Sequence, residues 1–147
     1  MSEPEGQNWI VPILSPIAES SQKLDVCICT HNPRPEIFRL VLEALARQTL
    51  AKNLFHVWII DNGSEPSLSD AQMQPLRQAD VTYSILPEPR LGNVFAREKA
   101  ITSTSGEWIV FVDDDNELAD DYLASVMDII ARNPHLGAFG GKLLLGE

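Results

Sequence analysis

The most informative stretch of the sequence is Trp108-Ile109-Val110-Phe111-Val112-Asp113-Asp114-Asp115. Its first five residues are β-branched or aromatic, contain no glycine or proline, and therefore predict a buried β-strand. The three adjacent carboxylates that follow repel one another, and burying them is costly unless a cation lies between them. Divalent cations prefer oxygen ligands, and open α/β sheets bind ligands beyond the carboxyl ends of their strands. The stretch therefore predicts a metal–phosphate site at the edge of a sheet.

On both sides of this stretch, segments typical of strands and of helices alternate along the chain. The predicted strands are Leu24–Thr30, Leu54–Ile60, Val81–Leu86, Trp108–Val112 and Gly137–Leu145, and the predicted helices cover about 35–49, 92–104 and 119–132. Such alternation predicts an α/β fold, with a Rossmann-like, mostly parallel sheet flanked by helices. Residues 24–147 form the predicted domain, and residues 1–23 form a predicted N-terminal arm or linker.

Composition argues against several classes of protein. The 147 residues have a net charge of −10, which argues against nucleic-acid binding, because that needs clusters of Lys and Arg. No apolar run reaches about 18 residues, so no membrane-spanning helix is predicted. Cys27 and Cys29 share one face of a strand at a spacing that is poor for a disulfide, and free thiols favour a reducing cytoplasm. The predicted location is cytoplasmic, with peripheral attachment to the inner membrane as an alternative.

Polar residues stand at the ends of three of the predicted strands: Thr30-His31-Asn32, Asp61-Asn62 and Asp113–Asp115. The carboxyl ends of parallel strands lie at one edge of a sheet, so these groups are expected to meet in one crevice. The sequence therefore predicts a ligand site that is built from the ends of three strands.

Four segments, in this order, resemble the nucleotide-binding half of the family 2 glycosyltransferases, which have the GT-A fold. They are Val26–Asn32, Val57–Ser64, Leu91–Glu98 and Gly106–Asp115. The resemblance implies a metal-dependent enzyme that transfers a sugar, with inversion, from a nucleotide-diphosphate sugar to the hydroxyl of a saccharide or another acceptor. It also implies Mg²⁺ or Mn²⁺ as the cofactor, which suits the chemistry because a cation neutralises the departing nucleoside diphosphate.

The resemblance also implies roles for single residues. The nucleotide-binding residues that it implies are Cys29, Thr30, His31 and Asn32 around the base and ribose, Asp61 and Asn62 beside the base, and Arg97 on the following helix. Asp113-x-Asp115 matches the DXD motif of the family. Asp115 is the expected ligand of the cation, with Asp113 in support, and Asp113 and Asp114 are expected to hold the ribose.

Two departures from the family bear on the nucleotide, and one bears on the reaction. The family usually has a second aspartate where Asn62 stands and often an aromatic residue where His31 stands, so dTDP and GDP are alternatives to UDP. The general base of the family, a carboxylate, belongs to the acceptor half of the fold, and we find no candidate in this chain. We therefore expect a donor-binding half, truncated before the acceptor half, that transfers sugar poorly by itself.

Other functions are open at this point. A nucleotidyltransferase also binds metal at strand ends but usually has a Gly-rich, basic phosphate loop after the first strand, which is absent here. A receiver-type phosphoacceptor domain needs an acidic pair where Thr30-His31-Asn32 stands. A non-catalytic nucleotide-sugar-binding or interaction half-domain is the remaining alternative, and donor binding without transfer would favour it.

A donor-binding half without its acceptor half would expose apolar surface and a sheet edge, and both promote association. We therefore expect this chain to self-associate as its concentration is raised. Static light scattering across a concentration series measures this directly, and a constant monomer mass at the highest concentration would contradict the expectation.

Overall fold

The computed structural model describes residues 23–142 and 144, and a parallel sheet of four strands lies at the centre of these residues. The strands are β1 (Leu24–Thr30), β2 (Phe55–Asp61), β3 (Tyr83–Pro87) and β4 (Trp108–Asp113), in the order β3-β2-β1-β4. The helices are α1 (Pro35–Ala46), α2 (Gln74–Gln78), α3 (Asn93–Ser103) and α4 (Tyr122–Arg132). All three strand pairs are parallel, which confirms the predicted α/β fold with a Rossmann-like sheet.

One face of the sheet forms the main core with α1, α2 and α4. Alternate residues of β1 point to this face, as the two-residue period of a strand requires. α1 begins at Pro35, whose fixed φ and missing N–H suit the first position of a helix. The buried side chains of this layer include Leu24, Val26 and Ile28 of β1, Phe55, Val57 and Ile59 of β2, Phe38, Val41, Leu42 and Leu45 of α1, Leu76 of α2, Val112 of β4, and Leu123, Val126 and Ile130 of α4.

α3 is the helix that packs on the opposite face of the sheet. It contacts the strands through Ala96 and Ala100, whose small side chains let the helix lie close to Cys27 and Ile60. Apolar side chains of α3 and of the edge strand β4 nevertheless remain exposed: Val94, Phe95, Ile101 and Phe111. This side of the domain is therefore less completely covered than the first.

The register of the strands brings their carboxyl ends together. Thr30 pairs with Asp61, Cys29 pairs with Asp113, and Asp61 pairs with Pro87. The loops that leave the four strands therefore begin at the same edge of the sheet, where the sequence predicted the ligand site.

The fifth predicted strand, Gly137–Leu145, is wrong for the part that the structure describes. Residues 137–142 and 144 form no strand. Glycine has no side chain to pack on a sheet and loses much conformational freedom when it is ordered, and this segment contains three: Gly137, Gly140 and Gly141. The Phe139 ring instead lies 5.9 Å from the ring of Trp108, so the segment contacts the domain through a side chain.

Two other predictions concern the rest of the chain. The predicted N-terminal arm lies outside the described residues, except for Lys23. Among residues 23–142 and 144, no helix has the length and apolar character that crossing a membrane requires.

A buried carboxylate joins the amino end of β1 to both neighbouring strands. Asp25 is 6% exposed and accepts hydrogen bonds from Trp58 Nε1 at 2.8 Å and from the Gly106 N–H at 2.6 Å. Trp58 lies on β2 and Gly106 lies just before β4. A side chain at position 106 would place its Cβ 2.5 Å from Asp25 Oδ2, so this contact also requires glycine there.

We predict that Asp25→Ala lowers the free energy of unfolding by about 3 kcal/mol, because it leaves two N–H donors without their acceptor. Asp25→Asn keeps one carbonyl oxygen as an acceptor and should have a smaller effect. Urea unfolding followed by tryptophan fluorescence measures both, and equal destabilisation by the two variants would contradict this account.

Candidate functional site

A cavity of about 290 Å³ lies at the edge of the sheet where the strands end. Its walls come from the ends of β1 and β4, the turn after β2 and the first turn of α3. The residues that line it are Cys29, Thr30, His31, Asn62, Asn93, Ala96, Asp113, Asp114 and Asp115. The structure thus brings together most of the residues that the sequence predicted, while Asn32, Asp61 and Arg97 do not line this strand-end cavity.

The three carboxylates of the cavity have different surroundings. Asp114 accepts a hydrogen bond from the Thr30 hydroxyl, which ties it to the end of β1. Asp113 accepts one from Asn116 Nδ2 at 3.1 Å, and the Asn116 N–H bonds the Asp113 carbonyl at 3.2 Å, which closes a tight turn. Asp115 is exposed, and within the described residues no hydrogen bond or ion pair engages its carboxylate. Of the three, Asp115 is therefore the most available to an external cation.

This set of donors suits a cation that binds together with a phosphate group. In residues 23–142 and 144, no group of three His, Cys, Asp or Glu side chains is arranged to hold a metal without other ligands. Mg²⁺ typically binds through one or two carboxylates and completes its coordination with substrate phosphates and water. Asp113 and Asp115 supply oxygen ligands of that number and kind, so the residues present fit such a cation.

Asp61 has a structural partner for each of its carboxylate oxygens. It is 5% exposed, and its Oδ1 accepts from the Ser64 N–H at 3.0 Å while its Oδ2 accepts from the Leu68 N–H at 2.8 Å. The carboxylate therefore closes the turn after β2. A contact with a nucleobase would have to use a further lone pair of these oxygens, and that role stays a prediction.

The Asn62 side chain joins the end of β2 to the loop before α3. Its amide nitrogen donates to the carbonyl oxygens of Glu88 at 2.9 Å and Arg90 at 2.7 Å, and its amide oxygen accepts from the Gly92 N–H at 2.9 Å. A carboxylate could not make this set of contacts, since it would repel the two carbonyl oxygens. The asparagine in place of an aspartate therefore has a structural explanation.

His31 and Asn32 belong to a second closed set of hydrogen bonds. His31 Nδ1 lies 2.8 Å from the Asn62 carbonyl oxygen, and His31 Nε2 lies 3.2 Å from Asn32 Nδ2. A carbonyl only accepts and an amide nitrogen only donates, so in these two contacts Nδ1 is the donor and Nε2 is the acceptor. Asn32, at φ +47°, also accepts from the Glu65 N–H at 2.8 Å and donates its N–H to Ser64 Oγ at 2.9 Å. Both ring nitrogens of His31 are therefore engaged within the protein.

Arg97 lies beside the strand-end cavity, close to its acidic side. Its guanidinium is 5.1 Å from the centre of the Phe111 ring, which is a cation–π distance. Burial raises the pKa of the Cys29 thiol, the positive charge of Arg97 opposes this shift, and the negative charge of Asp113 adds to it. Arg97 therefore acts electrostatically on a residue of the cavity without lining it.

The cysteines are free thiols, as the sequence predicted. Cys27 is fully buried, and burial, with Cys29 and Asp25 nearby, raises its pKa to about 12. Cys29 is half-buried and faces the cavity. A thiol with a raised pKa is a poor nucleophile at neutral pH, so neither cysteine has the properties of a catalytic thiolate.

The sequence did not single out three residues of the site. Asn93 and Ala96 line the cavity from α3, and Asn116 holds Asp113. Asn93 and Ala96 lie within the segment Leu91–Glu98 that supported the resemblance. Only the folded helix shows that these two residues, three apart, share the face that borders the strand ends.

An ion pair fixes the loop between β3 and α3. Glu88 lies just under the surface, at 4% exposure, and accepts hydrogen bonds from Arg90 Nε, Nη2 and N–H, each at 2.9 Å. These bonds lower the pKa of Glu88 to about 2 and raise the pKa of Arg90. Arg90 also contacts Glu98 at 3.1 Å and lies 4.7 Å from the centre of the Phe95 ring. The pair therefore holds the backbone whose carbonyl oxygens bind Asn62.

A larger cavity, of about 1010 Å³, lies between α1 and residues 64–79. Half of its lining residues are apolar, mostly proline and alanine, and half are polar or charged, and it contains none of the three aspartates of the strand-end cavity. Its size alone does not indicate metal–phosphate chemistry, so the smaller cavity is the candidate site.

Comparison with known sequences finds relatives of this chain. The sequence profile described as Glycosyl transferase family 2 matches residues 25–143. An N-acetylglucosaminyltransferase of Bradyrhizobium diazoefficiens is 30% identical over 122 residues, which are 82% of this chain and 25% of that protein. This chain therefore spans about a quarter of the length of that relative.

Two solved structures have the same fold. S. aureus TarS 1–349 in complex with UDP gives a TM-score of 0.65 at 23% identity, over 76% of this chain and 33% of that one. The mannosyltransferase PcManGT from Pyrobaculum calidifontis, in complex with GDP-Man and Mn²⁺, gives 0.61 at 22% identity, over 74% of this chain and 32% of that one.

We predict that Glu88→Gln lowers the free energy of unfolding at pH 7 and makes this free energy depend less on pH in the acid range. The pKa of Glu88 is about 2 in the folded protein, below its ordinary value of 4.5. A carboxyl group whose pKa is lowered by folding stabilises the protein fully when the pH is above its pKa in the unfolded protein. This stabilisation is lost as the pH falls towards its pKa in the folded protein. Urea unfolding between pH 7 and pH 2 should therefore show the difference between wild type and variant shrinking below about pH 4.5.

Glu98→Gln is the matched control, because Glu98 contacts the same Arg90 but is exposed. It should change stability and its pH dependence little, as is usual for exposed pairs. A difference between wild type and Glu88→Gln that stays constant with pH would contradict the stabilising role of the ion pair.

Proposed function

The chain belongs to Glycosyl transferase family 2, and we propose that its strand-end cavity binds the nucleotide-sugar donor of a metal-dependent, inverting glycosyltransferase. The observation that supports this most strongly is the position of the three aspartates. They line one cavity with the ends of β1 and α3, and Asp115 has no partner among the described residues. An open acidic pocket attracts a cation, and a bound cation in turn attracts a diphosphate.

Asp115 and Asp113 would hold Mg²⁺ or Mn²⁺, which would neutralise charge on the departing nucleoside diphosphate. Asp114, oriented by the Thr30 hydroxyl, would accept a hydrogen bond from the ribose together with Asp113. The acidic side of the cavity would thus bind the polar end of the donor.

The other predicted residues would act mainly by shaping the pocket. Cys29 and His31 would form part of its wall around the ribose and base. Asn32 and Asp61, which are engaged in turns, would support that wall from behind. Arg97 would shape the pocket from beside Phe111 and attract the negative charge of the nucleotide.

UDP is the nucleotide that we expect, with GDP and dTDP as alternatives. TarS has been solved in complex with UDP, and PcManGT has been solved in complex with GDP-Man and Mn²⁺. The fold therefore accommodates both a pyrimidine and a purine nucleotide, and the choice depends on the residues of the individual pocket.

Transfer of the sugar is expected to need residues outside these 147. We assign none of the carboxylates of this chain as the general base, and the chain covers only 25% of its bacterial relative. The acceptor, a saccharide or another compound with a hydroxyl group, would bind to that further part.

Residues 24–147 would form one nucleotide-sugar-binding unit, preceded by residues 1–23 as an arm. Self-association stays a proposal, supported by the edge position of β4 and by the exposed side chains of Val94, Ile101 and Phe111. A cytoplasmic location, with or without attachment to the inner membrane, also stays a proposal.

We predict that the chain binds UDP or GDP only when Mn²⁺ is present, and that Asp115→Ala weakens this binding by about tenfold or more, which corresponds to about 1.4 kcal/mol. The reason is the loss of the cavity carboxylate that no hydrogen bond or ion pair engages within the described residues. Isothermal titration calorimetry with each nucleotide, with and without Mn²⁺, measures the effect.

Asp128→Ala is the matched control, since it removes one negative charge from an exposed ion pair with Arg132 on α4. It should leave nucleotide binding unchanged. Metal-independent binding, or equal losses in the two variants, would count against the proposed site.

A further inference from the structure

Most polar side chains of the strand-end cavity already have partners in the protein. Thr30 donates to Asp114, His31 uses both ring nitrogens, and Asn62 uses its whole amide group. Asn93 differs, because no hydrogen bond from the described residues engages its side-chain amide. We infer that Asn93 contacts the edge of the donor's nucleobase and that Asn62 positions it. This inference rests on the proposed function, since it takes the ligand to be a nucleoside diphosphate.

The backbone that precedes Asn93 is fixed from the end of β2. Gly92 donates its N–H to Asn62 Oδ1 at 2.9 Å, and the same amide group holds the carbonyl oxygens of Glu88 and Arg90. Gly92 has φ +129°, a conformation that glycine adopts and other residues avoid. Asn93 therefore begins α3 at a position that Asn62 determines.

The chemistry of the side chain favours a base over a phosphate. An amide has both a donor and an acceptor, whereas a phosphate offers only acceptors and would repel the amide oxygen. Uracil, thymine and guanine each present a carbonyl group beside an N–H on one edge, which is the complement of an amide. The cation and the ribose are better matched to the carboxylates of Asp113, Asp114 and Asp115.

The space beside Asn93 also suits a planar ring. Ala96 lies one turn further along α3 and lines the same cavity with a single methyl group. Residues three apart share a helix face, so the amide of Asn93 and this small side chain border the same space.

The test compares UDP with ribose 5-diphosphate, which keeps the ribose and the diphosphate but lacks the base. With Mn²⁺ present, Asn93→Ala should weaken UDP binding by about five- to tenfold, the loss expected for one or two hydrogen bonds. The affinity for ribose 5-diphosphate should stay unchanged. Alanine is favourable in a helix, so this variant is expected to fold, and calorimetry on the whole chain gives both affinities.

Asn53→Ala is the matched control. Asn53 is an exposed asparagine in the turn Lys52–Leu54, which precedes β2 and so lies at the other end of that strand from the cavity. Its replacement should change neither affinity. A loss of UDP binding in this control equal to that in Asn93→Ala would overturn the assignment.

Asn93→Asp tests the contact with the base in a second way. The carboxylate keeps an acceptor and loses the donor, so it suits guanine, which presents two adjacent N–H donors, better than uracil. The affinity for GDP relative to that for UDP should therefore rise. An unchanged ratio of the two affinities would count against a contact with the base edge.

Asn62→Asp tests the positioning role. The carboxylate cannot donate to the carbonyl oxygens of Glu88 and Arg90, so the start of α3 should shift. We expect UDP binding to weaken while ribose 5-diphosphate binding stays unchanged. We expect no further loss of UDP affinity in the double variant with Asn93→Ala, because both substitutions remove the same contact, that between Asn93 and the base. Additive losses would contradict the positioning role.

The outcomes separate this inference from the proposed function. If Asn93→Ala weakens UDP and ribose 5-diphosphate equally, or weakens neither, the base contact is wrong and the proposed function stands. If the unaltered chain binds neither ligand with Mn²⁺, the proposed function and the inference both fail.

Discussion

β1 hydrogen-bonds to β2 on one side and to β4 on the other, both in parallel, so the chain must leave all three strands at the same edge of the sheet. Parallel strands need crossover connections, and the helices in these connections cover both faces of the sheet. The polar residues after the strands are therefore left together at the carboxyl ends of the strands. Asp25 stabilises this arrangement from the opposite end, where it links β1 to β2 and to the residue before β4.

The strand-end cavity has two chemically different sides. Its acidic side comes from the end of β4, where three adjacent carboxylates have different degrees of engagement and Asp115 is the freest. Its uncharged side comes from α3 and the ends of β1 and β2, where the side chains of Asn62 and His31 have partners within the protein and that of Asn93 has none among the described residues. Such a division suits a ligand with a highly charged end and a planar, polar but uncharged end, and a nucleoside diphosphate has this form.

The loop between β3 and α3 connects the end of β2 to the side of the cavity that α3 forms, because Asn62 hydrogen-bonds this loop. The Glu88–Arg90 ion pair links two residues of this loop, and Asn62 binds two of its carbonyl oxygens and the Gly92 N–H. The substitution of asparagine for the family's second aspartate is thus coupled to this loop, because only an amide can donate to those carbonyls. Asn62, which the sequence predicted beside the base, hydrogen-bonds the backbone that precedes Asn93.

The sequence by itself determined the α/β fold class and the four strands that form the described sheet. It also grouped Asp113, Asp114 and Asp115 with the ends of β1 and β2. These features could be predicted because hydrophobic runs, turn residues and their order are local patterns. The sequence failed for the fifth predicted strand over the residues that the structure describes, 137–142 and 144, since a strand depends on a neighbouring strand as well as on its own residues. Only the tertiary structure decided which polar side chains are free for a ligand. The side-chain partners of Asn62, and the bond between the His31 ring and the Asn62 carbonyl, join segments 26 to 31 residues apart in the chain. Such hydrogen bonds follow from packing, which no local pattern encodes.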